Sequence, residues 1–206
     1  MDFNKKFWDD YQKIITNFQK LPAVGIKSGQ RYFEHLIINK DLNYDLIKSL
    51  EDIVKNFQRC LKCFCLVYKN KCLSCDNVFS LKHHLFVIHS LNVFLNLIQS
   101  EFKTGLFFNF EKQLSLAKKI TLDKLPLPPL ITFINDNKTT IKEVILIFDF
   151  TLEGELTKNY LISHLKKHFP DLKITSLGQG ISKGSAISYL DAYTFKKAFI
   201  NRKDEE

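Results

Sequence analysis

Residues 60–75 read CLKCFCLVYKNKCLSC, and the spacing of the cysteines in this segment fixes how the middle of the chain folds. Cys60, Cys63, Cys72 and Cys75 follow the pattern C-x2-C-x8-C-x2-C. Each C-x2-C pair presents two thiolates from one tight turn, and two such pairs complete a tetrahedral shell of four sulfur ligands. Because a closed thiolate shell leaves no open coordination position, the spacing predicts one structural Zn²⁺ ion that takes no part in catalysis.

Two other interpretations of these cysteines are open. A C-x2-C pair also occurs in redox-active proteins, and two pairs can arise by coincidence. We favour zinc because both pairs lie within sixteen residues. The fifth cysteine, Cys65, is interpreted as a small buried hydrophobic residue or a free thiol near the site.

The composition limits the class of protein. At 206 residues, the chain can bury a core as one large domain or as several small ones. Its first residues, MDFNKKFWDDYQKI, contain early acids and no apolar run, which is not the pattern of a signal peptide. The longest stretch without Asp, Glu, Lys or Arg is residues 83–100, and its His and Asn residues make it a poor membrane span. With zinc-type cysteines, these features predict a cytoplasmic protein that does not bind membranes.

The positive charge favours a nucleic-acid partner. The net charge is +8, but only three of the 30 basic residues are arginine. Abundant Lys, Phe, Ile and Asn are typical of an AT-rich coding bias, so the distribution of charge carries more weight than its sum. Residues 55–82 contain six basic residues against one acid, Asp76. This local excess favours nucleic-acid binding by the cysteine-containing part of the chain.

The spacing of apolar residues divides the chain into a helical start and an alternating remainder. Before the cysteines, a helical period predicts helices at residues 5–19, 28–39 and 44–57. After them, short apolar runs predict strands at residues 84–89, 105–110, 143–148 and 173–177. Helices are predicted between or after these strands, at residues 91–99, 153–168 and 191–201. Strands that alternate with helices predict a βαβ arrangement with a parallel sheet, although the proline-rich residues 121–134 are ambiguous.

Residues 21–31, LPAVGIKSGQR, connect the first two predicted helices. Pro22 removes a backbone donor and Gly25 permits a positive φ, so this segment breaks the helix and predicts a tight hairpin. The N–H groups that start the second helix suit a phosphate, and Lys27 and Arg31 lie one turn apart to supply charge. The pattern predicts a helix-hairpin-helix that contacts the DNA backbone and not the base sequence. The alternative is an ordinary helical turn with a solvated basic face.

Acidic residues follow the most apolar predicted strand. Asp149, Glu153 and Glu155 come directly after residues 143–148, where α/β folds bind ligands. These carboxylates suit Mg²⁺ and phosphoryl transfer. Glu153 and Glu155 also fall in the first turn of a helix, where acids interact favourably with the helix dipole. On the residues alone, we favour the helix-start interpretation.

The order of these segments resembles the bacterial recombination mediator family RecR over nearly the whole chain. Residues 21–31 are similar to that family's LPGxGxKSAQR, and the two cysteine pairs match its zinc finger, including the eight-residue gap. Residues 143–161, EVILIFDFTLEGELTKNYL, resemble its Toprim segment around NPTxEGExT. The end of the chain, with Tyr189-Leu190-Asp191, Thr194 and Arg202, resembles its motif YLDxxTL followed by GR.

The resemblance implies a multi-module α+β fold of four parts. These are a helix-hairpin-helix DNA-binding region at 1–57, a four-cysteine zinc finger at 58–78, a Toprim-like α/β domain with a parallel sheet at 79–177, and a C-terminal loop and helix for oligomerisation at 178–206. It implies one Zn²⁺, DNA contact through Gly25, Lys27 and Arg31, and a homo-oligomer, either a dimer or a ring-like tetramer. The implied function is non-enzymatic: a DNA-repair mediator that works with RecO, and with RecF where present, to promote RecA loading on single-stranded DNA at gaps.

The chain departs from the family pattern at positions that bear on function. Ala23 replaces the first glycine of the hairpin, and His89 stands where the family usually has glutamate. Residues 184–188, GSAIS, replace an acidic GGELE segment. Because imidazole is a poorer Mg²⁺ ligand than carboxylate, these changes weaken a metal site at the acidic face. In the family this face has been linked to RecO.

Two other functions are kept as alternatives. One is a Mg²⁺-dependent Toprim enzyme, a nuclease or a primase-like protein, that uses Asp149, Glu153 and Glu155 for phosphoryl transfer. The absence of the usual glutamate at His89 counts against it. The other alternative is a zinc-stabilised RNA-binding protein, which predicts a preference for RNA over DNA.

Overall fold

The computed structural model describes residues 3–76, 83–100, 105–115, 117–181 and 184–202. The chain divides into two compact units, Met1–Phe57 and Gln58–Glu206. Lys82, which belongs to the basic segment 55–82, lies outside the described residues, as does the domain boundary predicted between residues 78 and 79. No helix in the described part of the chain is both long enough and apolar enough to cross a membrane.

The first unit contains three helices, as the apolar spacing predicts. They are α1 (Phe3–Phe18), α2 (Ile26–Ile38) and α3 (Lys40–Asn56). Helix α1 packs on α2 through the rings of Tyr11 and Phe33, whose centroids are 5.0 Å apart. Gly29 of α2 packs against Ile15 of α1, and a Cβ atom built on Gly29 would lie 3.4 Å from Cγ2 of Ile15, in van der Waals contact. Ile15 and Gly29 are the buried residues among the described part of this unit.

Gly25 does not use the positive φ that a glycine permits. Gly25 has φ −89° and forms the N-cap of α2, a conformation that any residue adopts. The left-handed residue of the turn is Ala23, with φ 62°. An alanine in this region carries a steric cost of about 1–2 kcal/mol from its Cβ atom. The turn nevertheless forms at the predicted place, because Pro22 cannot continue α1.

The second unit is built on a four-stranded parallel sheet, which confirms the predicted βαβ arrangement. Its strands are β4 (His84–Ile88), β5 (Leu106–Asn109), β6 (Glu143–Ile147) and β7 (Lys173–Ser176), in the order β5-β4-β6-β7. Strand β4 pairs with both β5 and β6, so that Leu85 lies opposite Leu106 and Val144. A central strand of a parallel sheet that is covered on both faces is expected to be buried. Four of the five residues of β4 are buried, as this position predicts.

Helices complete the layers of this unit. They are α4 (Leu91–Gln99), α5 (Leu127–Asp136), α6 (Leu152–His168) and α7 (Ala192–Ile200), with short 3-10 helices at Leu122–Lys124 and Ile187–Tyr189. The ambiguous residues 121–134 therefore include a helix, and its prolines lie in the first turn, where a missing N–H costs nothing. Helix α6 has Glu153 and Glu155 in its first turn and basic residues in its last, which suits the helix dipole.

The cysteine segment forms its own small sheet and covers the edge of the large one. Its strands are β1 (Phe57–Arg59), β2 (Leu66–Tyr68) and β3 (Lys71–Cys72). Strand β5 is an edge strand, so its outward N–H and C=O groups need partners. The N–H of Asn109 donates to the carbonyl of Cys63 at 2.8 Å. The hydroxyl of Ser74 accepts from the N–H of Phe107 at 2.8 Å and donates to its carbonyl at 2.9 Å.

We expect Ser74→Ala to destabilise the second unit. Ser74 is fully buried, and its loss leaves the N–H of Phe107 without its hydroxyl partner. The Phe107 carbonyl, which accepts from the Ser74 hydroxyl in the wild type, keeps only a weak donor, the Cys65 thiol at 3.6 Å. Unsatisfied buried polar groups predict a loss of about 2–3 kcal/mol in the free energy of unfolding, measured by urea denaturation.

Ser100→Ala is the matched control, because the Ser100 hydroxyl bonds the carbonyl of Leu97 at an exposed position in the same unit. Its effect should stay within about 0.5 kcal/mol. Equal losses in the two variants would contradict the role assigned to the Ser74 hydroxyl.

Candidate metal centre and nucleic-acid interface

The structure brings Cys60, Cys63, Cys72 and Cys75 together. Their four Sγ atoms all lie within 4.8 Å of one another. The Sγ atoms of Cys63 and Cys72 are 3.5 Å apart. Four sulfurs at the usual Zn–S length of about 2.3 Å from a tetrahedral centre are about 3.8 Å apart, so the cluster has the size of a metal shell. Among the described residues, it is the one group of three or more His, Cys, Asp or Glu side chains whose ligand atoms converge in this way.

Backbone groups hold the two cysteine turns in place. The N–H of Phe64 donates to the carbonyl of Cys60 at 3.0 Å, which closes the first turn. In the second turn, the N–H groups of Ser74 and Cys75 point at Sγ of Cys72, at 3.4 and 3.3 Å. Donors aimed at sulfur stabilise a thiolate. The carboxylate of Asp76 accepts from the N–H of Cys72 at 2.7 Å and fixes the end of the turn.

Hydrogen bonds among the neighbouring thiols shift their pKa values in opposite directions. Hydrogen bonds from Cys65, Cys72 and Cys75 lower the pKa of Cys63. The hydrogen bond to Cys63 in turn raises the pKa of Cys72 to about 12. Without a cation, a negative charge at Cys63 therefore keeps its neighbour protonated. A bound divalent cation replaces these protons, and the site can then hold several thiolates at once.

Cys65 lies outside the cluster. It is fully buried, and burial raises the pKa of its thiol. Its Sγ atom lies 3.6 Å from the carbonyl of Phe107 on β5. Both interpretations from the sequence fit, since Cys65 is a buried residue and also a free thiol beside the ligand Cys63.

The three residues assigned to DNA lie at the start of α2. Gly25 is the N-cap, and Lys27 and Arg31 follow on exposed positions one turn apart. A Cβ atom built on Gly25 meets nothing within 4 Å, so the backbone there is open to an approaching group. The described residues give Lys27 and Arg31 no ion pair, which leaves both charges available to a ligand.

The acidic residues after β6 do not converge on one point. Asp149 lies 3.2 Å from Nε2 of His89 and accepts from the amide of Gln113 at 3.2 Å. Glu155 pairs with Lys158 at 2.6 Å within α6. Glu153 stands beside Glu155 in the first turn of the same helix. The acids are thus held by internal partners or by the helix start.

Gly154 lets α6 begin immediately beside the end of β6. A Cβ atom at this position would lie 2.0 Å from the carbonyl oxygen of Asp149, a distance that real Cβ atoms do not reach. The Thr151 hydroxyl accepts from the N–H of Gly154 at 3.2 Å and caps the helix. The glycine between Glu153 and Glu155 is therefore required by packing.

Two contacts of this region were missed by the sequence reasoning. The pairing of His89 with Asp149 follows from topology, since both residues follow neighbouring parallel strands, β4 and β6. The adjacency of His89 and Asp149 could therefore have been predicted from the order of the strands in the sheet. Gln113 lies in an irregular segment, and nothing in its sequence neighbourhood points to Asp149. Ser74 carried no signal beyond its place between two cysteines.

Several known proteins named recombination protein RecR are similar to the chain over nearly its whole length. The recombination protein RecR of Rickettsia rickettsii strain Sheila Smith is 30% identical over 204 residues, which cover 98% of this chain and 100% of that protein. The recombination protein RecR of Phytoplasma mali strain AT is 32% identical over 200 residues, 94% of each chain. That of Rickettsia prowazekii strain Madrid E is 31% identical over 198 residues, 95% of this chain and 96% of the relative. No protein-family model matches the chain.

We expect Cys72→Ser to abolish metal binding and Cys65→Ser to retain it. Cys72 is one of four converging ligands, whereas Cys65 contacts β5. The measurement is metal content per chain after purification, together with competition against a chromogenic chelator. Since metal binding displaces thiol protons, such as that of Cys72 with its pKa of about 12, affinity should fall as pH falls. Equal metal content in the two variants would contradict the assignment of the ligands.

Proposed function

The chain belongs to the RecR family of recombination proteins, and we propose that it is a DNA-binding mediator of recombinational DNA repair. The observation that carries this proposal is the similarity to proteins named recombination protein RecR over nearly their whole length. The mediator would act with RecO, and with RecF where present, to promote RecA loading on single-stranded DNA at gaps. It would do so in the reducing cytoplasm, where its five free thiols persist.

The start of α2 is the proposed DNA contact. The exposed Lys27 and Arg31 supply two positive charges near the N-terminal end of a helix, where N–H groups and the helix dipole favour a phosphate. Gly25 leaves room for the backbone of the ligand, since no atom lies within 4 Å of its added Cβ position. Contacts of this kind give affinity that depends on salt and little on sequence.

We further propose that the cysteine cluster holds Zn²⁺. A shell of four thiolates favours zinc over the harder cations Mg²⁺ and Ca²⁺, which prefer oxygen ligands. Cys60, Cys63, Cys72 and Cys75 would bind the ion, and the ion would lock the two cysteine turns that cover β5. Its role is structural because the four protein ligands leave no open position for a substrate.

The proposal treats the protein as non-enzymatic. A Mg²⁺-dependent Toprim enzyme needs carboxylates free to bind the ion. Here Asp149 faces the imidazole of His89, and Glu155 is paired with Lys158. These internal pairs count against a Mg²⁺ site, and the contact of this face with RecO is proposed from the family resemblance alone. Mg²⁺-dependent DNA cleavage or primer synthesis that disappears in Asp149→Ala would overturn this part of the proposal.

Exposed apolar side chains support a homo-oligomer, dimer or tetramer. In the first unit, α3 has no buried residue, and Val54 on this helix is 82% exposed. In the C-terminal segment, Tyr189 is 90% exposed and Phe199 is also exposed. Contiguous exposed apolar surface is typical of protein interfaces. We assign residues 1–57 to DNA contact and self-association, and residues 178–206 to a further contact between subunits.

We expect Lys27→Ala/Arg31→Ala to weaken DNA binding at every sequence tested. The loss of two phosphate contacts should reduce the slope of log affinity against log salt by about 1.8 on duplex DNA. Fluorescence anisotropy titrations at several salt concentrations measure both quantities.

Lys40→Ala/Lys48→Ala is the matched control. It removes the same net charge from exposed positions on α3 of the same unit. A protein that binds no DNA, or one in which both double variants lose the same affinity and slope, would contradict the assigned DNA contact. Tighter binding of RNA than of DNA would instead favour the RNA-binding alternative.

We expect a solution mass that is a multiple of the 24.1 kDa chain mass. Val54→Asp places a charge on the exposed apolar face of α3 and should lower the mass measured by light scattering at the same concentration. Ser49→Asp adds the same charge at an exposed polar position of the helix and should leave the mass unchanged. A wild-type protein that stays monomeric at the concentrations used for DNA binding would contradict the oligomer proposal.

A further inference from the structure

The segment between the two cysteine turns forms a tight β-hairpin. Strands β2 and β3 pair in antiparallel register, with Val67 opposite Cys72 and Tyr68 opposite Lys71. Lys69 and Asn70 form the two-residue turn, and both have positive φ, 46° and 63°. Two left-handed residues in a two-residue loop define a type I′ turn, whose twist matches that of the strands.

The two faces of this hairpin differ in character. Since side chains alternate along a strand, residues paired directly across the ladder share a face. Val67 and Cys72 form one pair and are half-buried and buried, so they face the interior of the unit. Tyr68 and Lys71 form the other pair, and both are exposed. The hairpin therefore presents an aromatic ring and an ammonium group side by side to the solvent.

The turn adds a second cation to this face. The Nζ atom of Lys69 lies 5.2 Å from the centre of the Tyr68 ring, in cation–π contact. Type I′ turns favour Asn, Asp or Gly at the position that Lys69 occupies, because a lysine there brings its Cβ into a strained left-handed conformation. A strained residue of this kind points to a function for its side chain.

No acid neutralises this face within the described residues. Asp76, the one acidic residue in the segment 58–76, accepts a hydrogen bond from the backbone of Cys72. Arg59 of the same segment is paired with Glu111, so its charge is used internally. Lys69 and Lys71 form no ion pair in the described part of the chain. An aromatic ring between two uncompensated lysines has the elements of a nucleic-acid contact.

We infer that the hairpin face formed by Tyr68, Lys69 and Lys71 binds single-stranded DNA, with a base stacked on Tyr68 and the lysines on neighbouring phosphates. The inference rests on the proposed function and adds to it a contact that selects unpaired strands. A base in a duplex is stacked on both sides, so an exposed tyrosine reaches its face only in a single strand. The phosphate contacts of Lys27 and Arg31 do not make this distinction.

The test compares Tyr68→Ala with Tyr68→Phe in the full-length protein. Binding is measured by fluorescence anisotropy on oligothymidine, on a duplex of equal length, and on an equally long strand whose sites are abasic. Tyr68→Ala should weaken binding to oligothymidine roughly 5- to 100-fold, in line with the usual worth of one stacked base. It should leave binding to the duplex and to the abasic strand unchanged, and Tyr68→Phe should bind like the wild type.

Lys69 and Lys71 are tested independently through the salt dependence of single-strand binding. Lys69→Ala/Lys71→Ala should weaken binding to both the oligothymidine and the abasic strand. It should reduce the salt slope on single strands by about 1.4, since each phosphate contact contributes about 0.7. Tyr68, Lys69 and Lys71 are exposed, so the variants should keep the wild-type metal content and unfolding midpoint, which are measured alongside.

The outcomes separate this inference from the proposed function. A wild-type protein without affinity for any DNA overturns both. A wild-type protein that binds DNA while Tyr68→Ala binds oligothymidine equally well overturns the hairpin contact alone. The same holds if Tyr68→Ala weakens oligothymidine and abasic binding equally, because stacking is then not involved. A Tyr68 effect confined to RNA of the same sequence shows that the hairpin serves RNA and also overturns the inference.

Discussion

The backbone hydrogen bonds between the cysteine turns and strand β5 are the constraint on which the second unit depends. An edge strand of a parallel sheet has a row of outward N–H and C=O groups that must be satisfied. Here Cys63 and Ser74 supply partners to Asn109 and Phe107. These bonds need both turns in the right shape, and a metal ion held by the four converging sulfurs would fix that shape. A metal at the cluster therefore stabilises the sheet, although it lies outside it.

At the carboxyl end of strand β6, the packing of α6 is set by steric fit. Strand β6 ends beside the first turn of α6, and the contact between Gly154 and the carbonyl of Asp149 leaves no room for a Cβ atom. Glu153 and Glu155 flank this glycine in the first turn of α6, where the helix dipole stabilises them. The imidazole of His89 then faces Asp149, with its Nε2 atom 3.2 Å from a carboxylate oxygen.

Much of this could be predicted from sequence, because the relevant patterns are local. The cysteine spacing, the apolar run of residues 143–147 and the helical period of residues 152–168 all lie within short windows. The contacts that sequence reasoning missed join distant residues, such as Ser74 with Phe107 and Gln113 with Asp149. The φ of Ala23 was missed for another reason. Glycine is the usual left-handed residue, and here the turn places an alanine in that conformation and gives the nearby glycine an ordinary one.

The structure also changes how the net charge of +8 is understood. Three cations form ion pairs within the described part of the protein. Arg59 pairs with Glu111, Lys158 pairs with Glu155, and Nζ of Lys173 lies 3.3 Å from a carboxylate oxygen of Glu143. Their charge is compensated within a few ångströms, so they contribute little to the field that a distant polyanion meets. Lys27, Arg31, Lys69 and Lys71 have no acidic partner in the described part of the chain. The two sites proposed to bind DNA are distinguished by where these cations lie, at the start of α2 and beside the ring of Tyr68, a property that composition alone does not give.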